Sequence, residues 1–151
     1  MSRRIALRMA AYVVPTFLLG FVWHLVLFAD YYQGLRIYRP DIIIPFGFAS
    51  MLLQGAIFAW AYPRLVERPE QVSSALKFAG AAALLSWSFT TLAVAAKHPM
   101  TSIGGFVAIE TGYTALQFLL VGPLLALASR GRLADAASGT NVRGGVLSGR
   151  D

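Results

Sequence analysis

A histidine and a glutamate are the two side chains of this sequence that could exchange protons inside an apolar environment. His24 lies in one long uncharged stretch, and Glu110 is the single charged residue of another stretch far along the chain. Histidine titrates near neutral pH, and ionisable groups inside membranes commonly mark ligand sites or proton pathways. The pair could therefore bind a ligand, relay a proton or act as an acid and a base, or it could form a purely structural hydrogen bond between two helices.

Both residues are expected at the same depth of a membrane. If the first apolar stretch leaves the membrane near Tyr32, His24 lies eight residues, or about 12 Å at the rise of an α-helix, below that surface. Glu110 lies eight residues after Ser102, where the last apolar stretch begins. The same counting places Ser50, Thr90 and Thr91 in this layer. The sequence therefore predicts a polar layer near one membrane surface.

Helical spacing extends this layer into polar faces. Glu110, Tyr113 and Gln117 share one face of the last stretch, and Ser50 and Gln54 share one face of the second. The candidate ligand-binding or proton-relay residues are His24, Glu110, Ser50, Gln54, Thr90, Tyr113, Gln117 and Trp23. We expect no metal site and assign no catalytic residue.

Four stretches that carry few or no charges must position these residues. They cover about 9–32, 42–62, 76–97 and 103–129, and each has the roughly 20 apolar residues that an α-helix needs to cross a membrane. The connections between them are short, which favours antiparallel neighbours. The predicted fold is an all-α integral membrane four-helix bundle with antiparallel up-down-up-down topology.

Composition excludes an ordinary soluble domain. Of 151 residues, 57% are hydrophobic and only 13% are charged, whereas soluble domains carry roughly a quarter charged residues. The absence of cysteine excludes disulfide scaffolds and thiolate zinc sites. We expect residues 1–130 to form a single transmembrane domain. Residues 131–151, rich in Gly, Ser and Ala, are expected to form a disordered tail.

The distribution of positive charges predicts the orientation. Ten lysines and arginines fall on the side of the termini and three on the other side, so both termini are expected to be cytoplasmic (N-in/C-in). We interpret the first stretch as an uncleaved span rather than a signal peptide. The net charge of +6 is explained by this bias and by anionic lipid headgroups, without nucleic-acid binding. The expected location is a bacterial inner (plasma) membrane.

Several kinds of chemistry have no support in the sequence. It contains no glycine-rich phosphate loop, no paired-histidine helix motif and no nucleophile elbow. Haem held by two histidines of one chain would need both His24 and His98, and His98 lies in a loop, so no cofactor is identified. An aromatic belt at the outer membrane surface is expected from Tyr31, Tyr32, Tyr38 and Trp23, with Trp60 and Tyr62 as its inner counterpart.

Two short motifs resemble a family of bacterial inner-membrane proteins of unknown function that have four helices. The segment Gly20-Phe21-Val22-Trp23-His24 is similar to the family's Gly-x-x-Trp-Tyr pattern in helix one. Glu110-Thr111-Gly112-Tyr113 is similar to its acidic-x-Gly-Tyr pattern in helix four. This chain has His24 where the family commonly has tyrosine and Glu110 where it commonly has aspartate. The resemblance implies the four-span fold and a pairing of helices one and four, but no substrate.

Three functions remain open at this point. The favoured one is a non-enzymatic binding or accessory subunit with a polar pocket in the outer leaflet, which takes a lipid-like small molecule or a partner membrane subunit. The second is a proton- or cation-coupled transporter that works as an oligomer through Glu110 and His24. The third is a membrane enzyme that modifies a lipid or isoprenoid with the same pair. The expected partners are membrane lipids and other membrane subunits, including further copies of this chain.

Overall fold

The structure is a computed structural model that describes residues 2–39 and 41–130, and all regular elements among these residues are helical. The elements, in chain order, are α1 (Arg3–Val22), a π-helical turn (Trp23–Leu27), α2 (Ala29–Leu35), α3 (Ile44–Leu65), α4 (Val72–Trp87), a second π-helical turn (Ser88–Leu92), α5 (Ala93–Lys97) and α6 (Ile103–Leu127). The tail predicted over residues 131–151 lies outside the described residues.

Four helical runs are long and apolar enough to cross a membrane: Arg3–Leu27, Ile44–Leu65, Val72–Lys97 and Ile103–Leu127. The shortest has 22 residues, which exceeds the roughly 20 that the hydrocarbon layer requires. Most of their apolar side chains face outward, as shown by Phe46 and Phe89, which are 75% and 74% exposed. Because water does not solvate so large an apolar surface favourably, the four runs indicate a multi-pass membrane protein.

Helix α6 packs along both α1 and α4, and α3 packs against α1. The main core lies between them and contains Tyr12 of α1, Tyr62 of α3 and Val121 of α6, each at most 1% exposed. Gly55 allows α3 to approach α1 closely, because a Cβ atom there would lie 2.7 Å from a methyl group of Val13. Helix α1 is therefore packed between α3 and α6.

The short helix α2 folds back over the end of α6. The helical run of α1 is broken at Phe28, whose φ and ψ are −118° and 18°. Helix α2 then buries Tyr32 and Leu35 against Phe106 of α6 in a second apolar cluster. The chain leaves α2 at Arg36, which adopts the left-handed conformation with φ 59°. This fold-back covers the membrane end of α1 and α6.

The two π-helical turns determine which side chains face the interior. A π-helical turn contains more residues than an α-helical turn and so rotates the side chains around it, and such turns are frequent at functional sites. The first contains His24. In the second, Thr91 is fully buried whereas Thr90 is exposed. The buried polar residue of this segment is thus the neighbour of the candidate residue Thr90.

Candidate functional site

His24 and Glu110 are in direct contact between α1 and α6. His24 follows α1 in the first π-helical turn, and Glu110 lies in the second turn of α6, so the packing of these helices brings the two side chains together. His24 Nε2 lies 3.2 Å from Glu110 Oε1. Glu110 is 7% exposed, and the side chain of His24 is 19% exposed. The carboxyl is thus enclosed, while the imidazole retains one accessible side.

The hydrogen bonds of His24 determine where its protons are. Its Nδ1 lies 3.0 Å from the backbone oxygen of Gly20, which can only accept, so Nδ1 carries a proton. Nε2 then either accepts a proton from a neutral Glu110 carboxyl or, in a charged imidazolium, donates to the carboxylate. In both arrangements a single proton lies between Nε2 and Oε1.

Tyr32 completes this cluster. Its hydroxyl donates to Glu110 Oε1 at 2.5 Å, and the side chain is 1% exposed. Burial raises the pKa of Tyr32 above the usual tyrosine value, and the hydrogen bond with Glu110 raises that pKa further, so the hydroxyl stays a donor. The prediction that Tyr32 belongs to an aromatic belt is therefore wrong, because the fold-back of α2 buries it.

Tyr113 and Trp23 form the aromatic wall of the cluster. The ring of Tyr113 meets the imidazole of His24 edge to face, with 4.6 Å between the ring centroids. Trp23 packs against Tyr113 on its other side and lies over Gly112, where a Cβ atom would be 3.5 Å from the indole ring. Both predicted residues therefore lie beside the His24–Glu110 pair. Tyr113 contacts it through its aromatic ring and Trp23 packs against Tyr113, and neither forms a hydrogen bond with His24 or Glu110.

Gln54 and Gln117 lie in a second polar cluster deeper in the bundle. The hydroxyl of Tyr12 donates a short hydrogen bond to Gln54 Oε1. Gln117 Nε2 donates to Thr16 Oγ1 at 3.2 Å and to the Tyr12 hydroxyl at 3.4 Å. Because Gln117 lies two helical turns from Glu110, the structure separates these two glutamines from the His24 cluster. They join α1, α3 and α6 near the middle of these helices.

Ser50 and Thr90 are not part of either cluster. Both side chains are exposed, and each donates to a backbone oxygen of its own helix: Ser50 to Gly47 at 2.7 Å and Thr90 to Ser86 at 2.9 Å. A hydroxyl bonded to the preceding turn is satisfied without a partner helix. The predicted polar layer therefore involves α1, α2 and α6, without these two residues of α3 and of the second π-helical turn.

Two cavities meet at His24. A mostly apolar groove of about 340 Å³ lies between α1 and α3, and a second cavity of about 510 Å³ lies beside α2 and the connection to α3. Five residues line both cavities: His24, Leu25, Tyr38, Arg39 and Ile42. Phe21 and Phe48 line the groove and are 48% and 41% exposed on the membrane-facing surface, so the groove opens sideways toward lipid.

The site offers only a few groups that can take part in chemistry. The pair offers one exchangeable proton, and Arg39 adds a positive charge to both cavities. Among residues 2–39 and 41–130, no three histidine, aspartate or glutamate side chains are grouped in a way that could hold a metal ion. The arrangement can bind a molecule that has an apolar chain and a polar or anionic head, and it can exchange a proton with it.

Sequence reasoning missed Tyr12, Thr16 and Tyr32. A signal for two of them was present, because Arg8, Tyr12, Thr16, Gly20 and His24 recur at every fourth position and so share one face of α1. The first four of these residues are buried. No comparable signal identified Tyr32, because its burial depends on the break at Phe28.

Comparison with protein-family models found no match, and comparisons with curated proteins and with solved structures found none either. The similarity of the helix-one and helix-four motifs to a four-helix membrane family therefore stays a prediction about the fold. The functional interpretation rests on the geometry around His24 and Glu110.

Proposed function

We propose that this protein is a non-enzymatic, multi-pass protein of a bacterial inner membrane that binds an amphipathic, lipid-like small molecule in the groove between α1 and α3. The observation that carries this proposal is the junction of an apolar groove that opens toward lipid with a more polar cavity at His24. Ligand sites are typically concave, mostly apolar and supplied with a few polar groups that fix orientation.

The walls of the groove define the class of ligand. Phe17, Phe48 and Met51 provide aromatic and thioether surfaces for an apolar chain. At the end where the two cavities meet, His24 and Arg39 offer a hydrogen-bonding ring and a guanidinium for a polar or anionic head. The ligand would thus place its head near the membrane surface and its chain between the helices.

Filling the groove tests this proposal. Gly47 lines the groove, and a Cβ atom there would meet nothing within 4 Å, so Gly47→Leu adds a side chain to open space without a backbone clash. Gly80→Leu is the matched control, because a Cβ atom there also meets nothing within 4 Å and this residue does not line the groove. The measurement is native mass spectrometry after mild detergent extraction, combined with analysis of the extracted lipids.

We expect wild type and Gly80→Leu to retain one bound amphipathic molecule per chain, and Gly47→Leu to lose it. Retention of the molecule by Gly47→Leu would contradict binding in the groove. A stoichiometric second protein in place of a small molecule would instead identify the groove as a contact with a partner membrane subunit, and it would overturn the proposed ligand.

The proposed topology is antiparallel, up-down-up-down, with both termini cytoplasmic and the His24 cluster in the outer leaflet. The bias of lysine and arginine toward the side of the termini supports this orientation. Because the chain contains no cysteine, single-cysteine variants can be labelled without background. A membrane-impermeant maleimide should label Lys97→Cys in intact cells and Ser2→Cys only after permeabilisation. The reverse pattern would invert the topology.

A buried polar column favours a second candidate function, proton-coupled transport by an oligomer. Arg8, Tyr12, Thr16 and His24 lie on one face of the first span, and each hydrogen-bonds to a side chain outside α1. Polar groups inside a membrane are costly, so a column through most of its thickness is typical of ion or proton pathways.

Proteoliposome assays distinguish transport from binding alone. Under the transport function, an imposed pH gradient drives flux in wild type, Glu110→Gln abolishes that flux, and Glu67→Gln, which changes an exposed carboxyl outside the membrane spans, leaves it intact. Absence of flux in wild type at every gradient would reject transport and leave ligand binding in the groove unaffected.

A further inference from the structure

A third cavity lies at the other end of the bundle, where α1 begins and α3 ends. It has a volume of about 450 Å³ and is separate from the groove at His24. The residues that line it are Ser2, Arg4, Ile5, Arg8, Ala59, Trp60, Pro63 and Arg64. Three of these are arginines and none is acidic. This cavity, the arginine pocket, therefore concentrates positive charge at one end of the transmembrane domain.

Contacts within the protein hold the guanidinium groups of Arg8 and Arg64 in place. Arg8 is 7% exposed, and its Nε donates to Ser129 Oγ at 3.0 Å. The guanidinium of Arg64 lies 4.8 Å from the centre of the Trp60 ring, and its Nη1 donates to the backbone oxygen of Trp60 at 2.6 Å. Arg64 forms no ion pair with a carboxylate of the described residues. Preorganised guanidinium groups are well suited to phosphate, which they bind through paired hydrogen bonds.

The position of the arginine pocket indicates what kind of molecule reaches it. Arg4 and Arg64 lie within the terminal turns of two membrane spans, which places them at the level of the lipid headgroups. Ile5 and Ala59 supply apolar surface beside them, and Trp60 is 60% exposed, as is typical of tryptophan at a membrane surface. An occupant would therefore combine a negatively charged head with an apolar body.

We propose that the arginine pocket binds the phosphodiester headgroup of an anionic phospholipid. Arg4, Arg8 and Arg64 surround the phosphate, while the acyl chains lie against Ile5 and Trp60 on the outside of the bundle. The site is independent of the groove at His24, so loss of either site leaves the other intact. Non-specific attraction of anionic lipid to cationic residues contributes about 1 kcal/mol of binding free energy for each lysine or arginine near the surface. A specific site must bind the lipid more tightly than this attraction alone.

The experiment compares two double variants that remove the same charge. Arg4→Gln with Arg64→Gln removes two guanidinium groups that line the pocket and keeps the buried Arg8. Arg3→Gln with Arg68→Gln is the control, because these arginines are exposed at the same end of the bundle and do not line the pocket. Native mass spectrometry would measure binding of phosphatidylglycerol and of phosphatidylcholine to the detergent-solubilised full chain, and thermal unfolding would be followed with each lipid and with inorganic phosphate.

We expect wild type and the control to bind phosphatidylglycerol at least tenfold more tightly than phosphatidylcholine, and the pocket variant to lose at least tenfold of its affinity for phosphatidylglycerol. Circular dichroism would show that the variants are folded. Equal losses in both double variants would overturn the proposal, because they would reflect diffuse charge alone. Equal binding of the two lipids would also overturn it. Protection by inorganic phosphate equal to that by phosphatidylglycerol would overturn the assignment to a lipid.

Discussion

Replacing Tyr32 with phenylalanine is the most direct test of the His24 cluster. The change removes one hydroxyl, which donates to Glu110 Oε1 at 2.5 Å inside a site that water hardly reaches. Hydrogen bonds to charged groups contribute about 1.5–3 kcal/mol in soluble proteins, and hydrogen bonds between membrane helices average about 0.6 kcal/mol with a maximum near 1.7. We expect Tyr32→Phe to lower the free energy of unfolding by about 1–2 kcal/mol, near the upper end of the membrane values.

Tyr38→Phe is the matched control. The ring of Tyr38 stacks on that of Tyr32, with 5.0 Å between centroids and 11° between planes. Tyr38 is 40% exposed, and its hydroxyl forms no hydrogen bond with a described residue. Both substitutions keep the stacked rings and remove one oxygen atom, but only the Tyr32 hydroxyl is buried and bonded to Glu110. We expect Tyr38→Phe to change the free energy of unfolding by less than about 0.5 kcal/mol.

The assay is reversible unfolding in mixed micelles, in which a denaturing detergent is titrated against a mild one and helicity is followed by circular dichroism. A double variant with Glu110→Leu, which removes the acceptor, separates the contact from indirect effects, because the two changes should be non-additive if the hydroxyl acts through the carboxyl. Equal effects of Tyr32→Phe and Tyr38→Phe would refute the interpretation of Tyr32 as a member of the site, as would strict additivity with Glu110→Leu.

Further substitutions test three local features by thermal unfolding in detergent. Gly105→Ala should be less stable than Gly112→Ala by about 1–3 kcal/mol, because a Cβ atom at position 105 would clash with the Tyr31 hydroxyl. A Cβ atom at position 112 would make an ordinary van der Waals contact with Trp23. Equal stability of the two variants would contradict this packing. Glu110→Gln should stay within about 1 kcal/mol of wild type, because the amide oxygen can still accept the hydrogen bond from Tyr32, and Glu110→Leu should lose about 2 kcal/mol because it has no acceptor. Similar losses in the two variants would show that the charge is required. Arg36→Gly should stabilise the protein by about 1 kcal/mol, since glycine adopts the left-handed conformation at φ 59° without strain, and a loss of stability would contradict this.

The contact between His24 and Glu110 follows from features that the sequence contains. The lengths of the apolar stretches fix where each helix meets the membrane surface, and the constant rise of an α-helix then fixes depth. Two residues at one depth on adjacent helices need only the correct rotation to meet. For His24 that rotation is indicated by the residues at every fourth position before it, such as Thr16 and Gly20, and the series continues to His24 in the first π-helical turn.

Which side of each helix faces the interior was harder to predict from the sequence than the depth of a residue along the helix. In a membrane both the packed and the lipid-facing sides of a helix are apolar, so the pattern that distinguishes inside from outside in soluble helices is weak. Ser50 and Thr90 were for this reason assigned to the interior, although both hydroxyls face outward and bond to their own helices. The buried hydroxyl of that segment belongs to Thr91.

The single proton of the His24–Glu110 pair connects the two candidate functions of the site. Because Gly20 holds Nδ1 as a donor, any ligand head that donates to or accepts from His24 must compete with Glu110 for Nε2. If the proposed ligand binds through Nε2, it displaces Glu110 from the hydrogen bond that holds this proton. Ligand binding and proton transfer at His24 would therefore use the same nitrogen atom.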